Sequence, residues 1–279
     1  MYCYMTGINK KPSESKSEDL VGSNNNFYWL LDGATPPAER KYKELTQIFL
    51  NTFNSALSAC SLECSSTNIL LERSLERVRD VFTEKYDINS LDHLPSSTAV
   101  IIKIDGEIEY SVLGDSYLSI ATKNSKIVIT DERIGNIAVN ERKIVREMRE
   151  NGVDENSIEY IKARKALIRE ESNLRNVAGG YWIASLNPLA AEESIYGTYP
   201  LDSYDDFLIF AASDGLTRLV THLGAFNDLY SLADETVRVG ATQIFKKLRE
   251  LESDKTNFIK PISNKHDDAS FLLISSNYV

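Results

Sequence analysis

The sequence predicts an α+β fold in which a run of consecutive antiparallel strands is bracketed by helices. Three observations carry this. Between residues 98 and 130 four short strand-like runs, "TAVIIKI", "EIEYSVLG", "YLSIATK" and "KIVIT", follow one another across tight turns, as a meander requires. Residues 38–62 and the stretch from Ile69 to Phe82 instead carry apolar residues at helical spacing. A chain of 279 residues with no break in composition can bury one large core, which favours a single domain spanning residues 1–279 over two small ones.

The elements follow in order. A strand over residues 27–31 runs straight into Asp32-Gly33 in "FYWLLDG". Tyr42, Leu45, Ile48, Phe49, Leu50, Phe53 and Leu57 then mark a helix, and Pro36 and Pro37 stand just ahead of it, where proline suits a helix start. Ile69, Leu70, Leu75, Val78 and Phe82 mark a second. After the meander, residues 136–171 turn charged and helical ("ERKIVREMRE", "IEYIKARKALIREE"), with Gly152 between the two stretches. This reads as an inserted segment whose charge runs form solvated faces with i to i+4 pairing. Strand signals return in "GGYWIAS" and "DDFLIFAAS", followed by one long helix over about residues 234–251 and a closing strand, "SFLLISS".

Charge limits the partners. A net charge of −10 and a pI near 5.0 argue against nucleic acid or an anionic membrane, which need a basic face. Three cysteines are no disulfide framework, and "MYCYMTGINKK" lacks the apolar core of a signal peptide, so a cytoplasmic location is expected. No apolar run approaches the roughly 20 residues of a membrane span.

Aspartates gather at strand ends. "FYWLLDG" ends in Asp32, "YSVLGDS" in Asp115, "FLIFAASDG" in Asp214, and "HDDASFLLIS" begins with Asp267 and Asp268. "KIDGEIEY" shows what an ordinary turn looks like: Asp105-Gly106 separates two alternating runs by two residues, as a tight hairpin does. After Asp32-Gly33 and Asp214-Gly215 the chain enters helical sequence instead, so the turn explanation weakens there. Several carboxylates brought together repel one another unless a cation shares them. Magnesium and manganese prefer oxygen ligands and keep several waters, so two or three carboxylates per ion suffice. His93, His222 and His266 are scattered, and Cys60, Cys64 and Cys3 make a poor zinc site. Two oxygen-bound metals typically activate a water and neutralise a phosphate, which makes phosphoester hydrolysis the candidate chemistry. Neither a P-loop nor a G-x-S-x-G elbow is present, and "DGA" is not the Asp-x-Asp of a haloacid dehalogenase.

Taken together these residues resemble the metal-dependent type 2C (PPM) serine/threonine protein phosphatases, and among them the bacterial-type members. "SED" at residues 17–19 is similar to that family's early acidic pair, "LLDGATPP" to its Asp-Gly strand end and "SSTAVIIKI" to its Thr-rich strand. "VLGDS", "FLIFAASDGL" and "DDASFLLIS" are similar to its later elements, in the family's order, and "KIVITDERIGN" to the lead into its flap, which would lie at residues 140–172. The resemblance implies a four-layered α-β-β-α sandwich of two antiparallel sheets flanked by helices. It also implies two Mn²⁺ or Mg²⁺ ions: Asp32 would bridge both, the Gly33 carbonyl and Glu18 or Asp19 would bind one, and Asp214 and Asp267 the other. Asp115 would suit the weaker third ion that some members bind. Asp32 and Asp214 would carry the catalysis, and a metal-bound hydroxide would attack a phosphoserine or phosphothreonine of a protein substrate. A monomer is expected.

The departures are specific. Where the family places a phosphate-gripping arginine, four residues before Glu18, this chain has Glu14; Lys16 is expected to take the role, with Lys11 as the other choice, each without the fork of an arginine. Ala34 stands where many eukaryotic members carry a histidine, and "ATPP" replaces the usual glycines. A pseudophosphatase serving as a regulatory binding module is the alternative reading.

Overall fold

The computed structural model describes residues 3–12, 14, 16–34, 40–91, 93–201, 206–260, 262 and 265–276. β1 (Cys3–Asn9), β2 (Asp19–Asn24) and β3 (Phe27–Gly33) precede α1 (Arg40–Cys60) and α2 (Thr67–Lys85). β4 (Ser97–Ile104), β5 (Glu107–Leu113), β6 (Tyr117–Thr122) and β7 (Lys126–Ile129) follow, then α3 (Val139–Glu150) and α4 (Ile158–Asn173). The chain continues through β8 (Ile195–Pro200), β9 (Phe207–Ala212), α5 (Asp214–Thr221), α6 (Leu229–Val239) and α7 (Ala241–Ser253), and ends on β10 (Ala269–Ser275). These strands make two five-stranded sheets, ordered β1-β10-β9-β6-β7 and β2-β3-β4-β5-β8. Neighbouring strands pair antiparallel throughout.

The near-continuous apolar runs of the central strands have a simple cause: both of their faces are covered. Along β3, Trp29 and Leu31 join Phe49, Phe53, Leu57, Leu75 and Phe82 in a core under α1 and α2, while Leu30 between them faces the other sheet. Along β10, Phe271 and Leu273 pack with Leu216, Leu232, Ile244 and Leu248 of α5, α6 and α7, while Leu272 and Ile274 turn inward. Val100, Ile102, Val112, Leu118, Ile120 and Ile209 complete the layer between the sheets. The order is therefore helices, sheet, sheet, helices, the α+β sandwich that the resemblance implies. The segment at residues 140–172 is the pair α3 and α4, which pack mainly on each other, with Gly152 (φ 68°) in the turn between them.

Three expectations are corrected. The four strands at residues 98–130 are not one meander: β4 and β5 belong to one sheet and β6 and β7 to the other, so the chain changes sheets at Gly114-Asp115. The helix expected at residues 234–251 is two helices, because Gly240 adopts φ 79°, ψ 164°, which ends α6 and caps α7. "GGYWIAS" forms only isolated bridges, Arg175 to Tyr181 and Ser97 to Ala184. Its backbone is spent on the neighbouring loop, with Tyr181 N–H donating to the Leu174 carbonyl (3.0 Å) and Ile183 N–H to Asn176 Oδ1 (2.8 Å). β1, β2 and β8, which the sequence reading does not pick out, are strands, so the strand expected at residues 27–31 is third in order. Pro36 and Pro37 lie outside the described residues. Among the described residues no helix is long and apolar enough to cross a membrane.

Candidate metal centre

The carboxylates meet because strand ends meet. In the β2–β3 ladder Asp19 sits directly opposite Asp32, and Asp32 is opposite Thr98 on β4, so register places two aspartates side by side at one end of the sheet. The Gly33 N–H donates to the Glu18 carbonyl at 2.9 Å, drawing the acidic pair against the Asp-Gly turn. Asp115 lies where the chain passes from β5 to β6, between the sheets. Asp214 is the first residue of α5, where a carboxylate complements the helix dipole. The N-terminus of α5 is pressed onto the strand lead-in of β10: a Cβ on Gly215 would stand 1.8 Å from the Asp268 carbonyl oxygen.

Hydroxyls and cations tie this end together. Ser213 Oγ donates to Asp19 Oδ2 (2.9 Å) and accepts from the Ser270 N–H (2.9 Å), linking the two sheets. Asp268, buried, accepts from the Lys11 N–H (2.6 Å) and the Glu18 N–H (2.8 Å), so it braces the chain between β1 and β2. The Lys11 ammonium lies 3.7 Å from Glu18, 3.9 Å from Asp267 and 4.0 Å from Asp268. Arg218, one turn along α5 from Asp214, donates to Asp267 Oδ2 at 2.6 Å and lies 3.6 Å from the fully buried Glu252. Arg249 (2.6 Å) and His266 (2.9 Å) hold the other side of Glu252.

The electrostatics are those of carboxylates crowded out of water. Burial, set against hydroxyl hydrogen bonds and reinforced by Asp268 and Asp214, pushes Asp19 up to about 7. Burial and the charges of Asp19, Asp214, Asp267 and Asp115 hold Asp32 well above the usual range. Asp214 is raised by burial and Asp115, against Arg218 and a hydrogen bond with Asp32. Asp115 is raised by burial, and Asp267 reaches about 6 through burial and Asp214, opposed by Arg218 and Lys11. Asp19 Oδ1 is buried with no hydrogen-bond partner. An unpaired buried oxygen costs free energy, which a cation would relieve.

All-oxygen donors, an orphaned acceptor and mutual repulsion fit a hard divalent ion. Asp267 fits least well, because Arg218 and Lys11 already face it. Among the described residues no three carboxylate, histidine or cysteine side chains are yet drawn into a ready-made cation cage. They surround a site rather than close on one.

Solved structures share this arrangement of layers. A serine/threonine phosphatase from S. agalactiae is 15% identical, covers 98% of this chain and 99% of its own, and superposes with a TM-score of 0.54. The PstP/Ppp phosphatase of Mycobacterium tuberculosis is 13% identical, with 98% and 97% covered and a TM-score of 0.53. The catalytic domain of PstP in complex with two manganese ions is 14% identical, with 99% and 99% covered and a TM-score of 0.50. The chain has the fold of the PPM serine/threonine phosphatases. No protein-family profile matches the sequence, and no curated protein matches it.

Within this PPM fold the expected site residues Glu18, Asp19, Asp32, Gly33, Asp115, Asp214 and Asp267 come from one end of the sandwich. Lys16 is exposed, whereas Lys11 lies among the carboxylates. Glu14 pairs with Lys43 on α1. The sequence reading passed over Arg218 and the bracing role of Asp268. Arg218 had a signal, since an arginine four residues after Asp214 shares its helix face. His266 is bonded to Glu252, which Arg218 joins to Asp267.

Proposed function

We propose that this chain is a Mn²⁺- or Mg²⁺-dependent phosphatase of phosphoserine and phosphothreonine in proteins. The observation that carries the reading is the convergence, at one end of a PPM fold, of five aspartates whose carboxyls are pushed upward by burial and by one another. Asp32, Asp19 and the Gly33 carbonyl would hold one ion, with Glu18 beside them; Asp214 and Asp267 would hold the second, and Asp115 a weaker third. When bound, the ions would supply an activated water and neutralise the phosphate. Everything else falls to the chain's own groups. Asp32 and Asp214 would fix the donor geometry through strand register and the α5 N-terminus, and Arg218 would hold Asp267 in place. Lys11, rather than Lys16, would face the phosphate as a point charge.

The test is hydrolysis of an aryl phosphate and of a phosphothreonine peptide with Mn²⁺, Mg²⁺ or chelator, by wild type and by Asp214→Asn. Metal-dependent turnover that falls at least about a hundredfold in the variant supports the reading. A clean preparation that neither binds divalent ions nor turns over either compound defeats it. The pseudophosphatase reading has one observation in its favour: Asp267 is already neutralised by Arg218 and Lys11.

A further inference from the structure

The segment α3–α4 does more than present a solvated face. Beside the carboxylates lies a cleft of about 660 Å³ whose floor includes Asp115 and Asp214. Its wall on α3 and α4 carries Arg142, Arg146, Arg149 and Arg164, and Lys260 lines it as well. The anion on that wall is Glu171, and it answers several cations at once, being ion-paired to Arg142 and also facing Arg164 and Arg175. Arg149 is fixed by its bond to the Tyr160 hydroxyl (2.7 Å), and Arg146 reaches only Glu150, at 4.0 Å. On a chain of net charge −10, a cleft wall with this excess of arginine runs against the average, and it adjoins the place where the phosphoester would sit. Arg149 and Lys260 also line an adjoining cleft of about 1090 Å³, which carries Lys255 and Lys265 but also Glu150, Asp154 and Glu155, so the excess of cations lies in the cleft beside the carboxylates. The joined clefts suit an extended chain.

Resting on the phosphatase reading, we propose that this basic wall selects protein segments with acidic side chains beside the phosphorylated residue. The acidic floor repels such a segment unless cations cover it, while the arginines attract it, so the wall sets which anionic chain comes to rest beside the carboxylates. Glutamates spaced along an extended peptide would meet Arg146, which is paired only loosely with Glu150, and Arg164, which shares Glu171 with Arg142 and Arg175.

The experiment uses two fluorescein-labelled peptides with a central threonine, identical except for glutamate or glutamine on both flanks. Binding is read by fluorescence anisotropy in Mn²⁺ at low salt, and kcat/KM is read on the phosphorylated forms. We expect the glutamate peptide to bind about tenfold more tightly, a gap that closes at high salt. Arg146→Gln/Arg164→Gln should abolish the gap with aryl phosphate turnover unchanged, and Lys260→Gln, on a separate loop, should narrow it. Equal binding of the two peptides by wild type overturns the proposal, as does a gap that survives in both variants. If aryl phosphate is turned over but no gap exists, the wall is wrong and the phosphatase stands. If the gap exists without any turnover, the wall stands and the phosphatase reading falls.

Discussion

Asp19 is the residue on which the end of the sandwich turns, because it is buried and one of its oxygens has no partner. Its folded-state carboxyl is raised to about 7 and that of Asp267 to about 6, against roughly 4 for an unfolded aspartate. The folded state therefore binds more protons than the unfolded one over this interval, and stability is present at low pH and lost as pH rises through the folded values. His222 acts in the opposite sense: burial, then Arg218 and Lys260, lower it, so its protonation as pH falls opposes folding. Two carboxylates outweigh one half-buried imidazole. We expect the melting temperature in chelator to fall between pH 5 and pH 8, and Asp19→Asn to flatten that fall while raising the pH 8 value. A chelated wild type that melts at a constant temperature across the range would contradict the electrostatic account. Arg218 is the counterpart. Removing it leaves Glu252 buried beside Arg249 and His266 alone and strips Asp267 of its guanidinium, so Arg218→Ala should cost about 3–5 kcal/mol in urea unfolding.

At the scale of elements, α5 and the β10 lead-in must touch for Asp214 and Asp267 to meet, and Gly215 is what lets them. An alanine there would push its methyl to 1.8 Å from a backbone oxygen that cannot swing away. Gly215→Ala should separate the two carboxylates, cost about 1–3 kcal/mol and weaken divalent-ion affinity in calorimetry, with secondary structure unchanged by circular dichroism. Elements also show what could be read from the residues. β3, β4, β9 and β10 were legible because a strand covered on both faces becomes a plain apolar run. β1 and β8 were not, since each is an edge strand with alternating exposure and a polar look. Asp32, Asp115 and Asp214 were legible for the same reason as the strands, being the points at which apolar runs stop, and Asp267 as the point before one starts, whereas Glu18 and Asp19 were legible only through the family resemblance. Lys11 was legible only as the second choice after Lys16, because counting back from Glu18 lands on Glu14, which pairs with Lys43, and nothing in the sequence spacing singles out Lys11.

The whole molecule divides its stability unevenly, and that division follows from its layers. Leu272 is fully buried between the sheets, in the layer that strands of both sheets build, whereas Leu167 on α4 is half-buried in a helical pair that packs mainly on itself. Truncation leaves a cavity in the first case that neighbours from both sheets cannot fill, and in the second a dent that solvent and the paired helix can close. Leu272→Ala should therefore cost about 2–5 kcal/mol, and Leu167→Ala about 1 kcal/mol or less. Hydrogen exchange should show the same boundary: amides of β3, β4, β9 and β10 should exchange only through global unfolding, and those of α3 and α4 through local opening. A molecule built this way can keep its carboxylates fixed at the sheet ends while the arginine wall beside them adjusts to what enters. Equal protection in α3 and in β10 would mean that the wall is part of the rigid frame, and the two leucine substitutions would then cost alike.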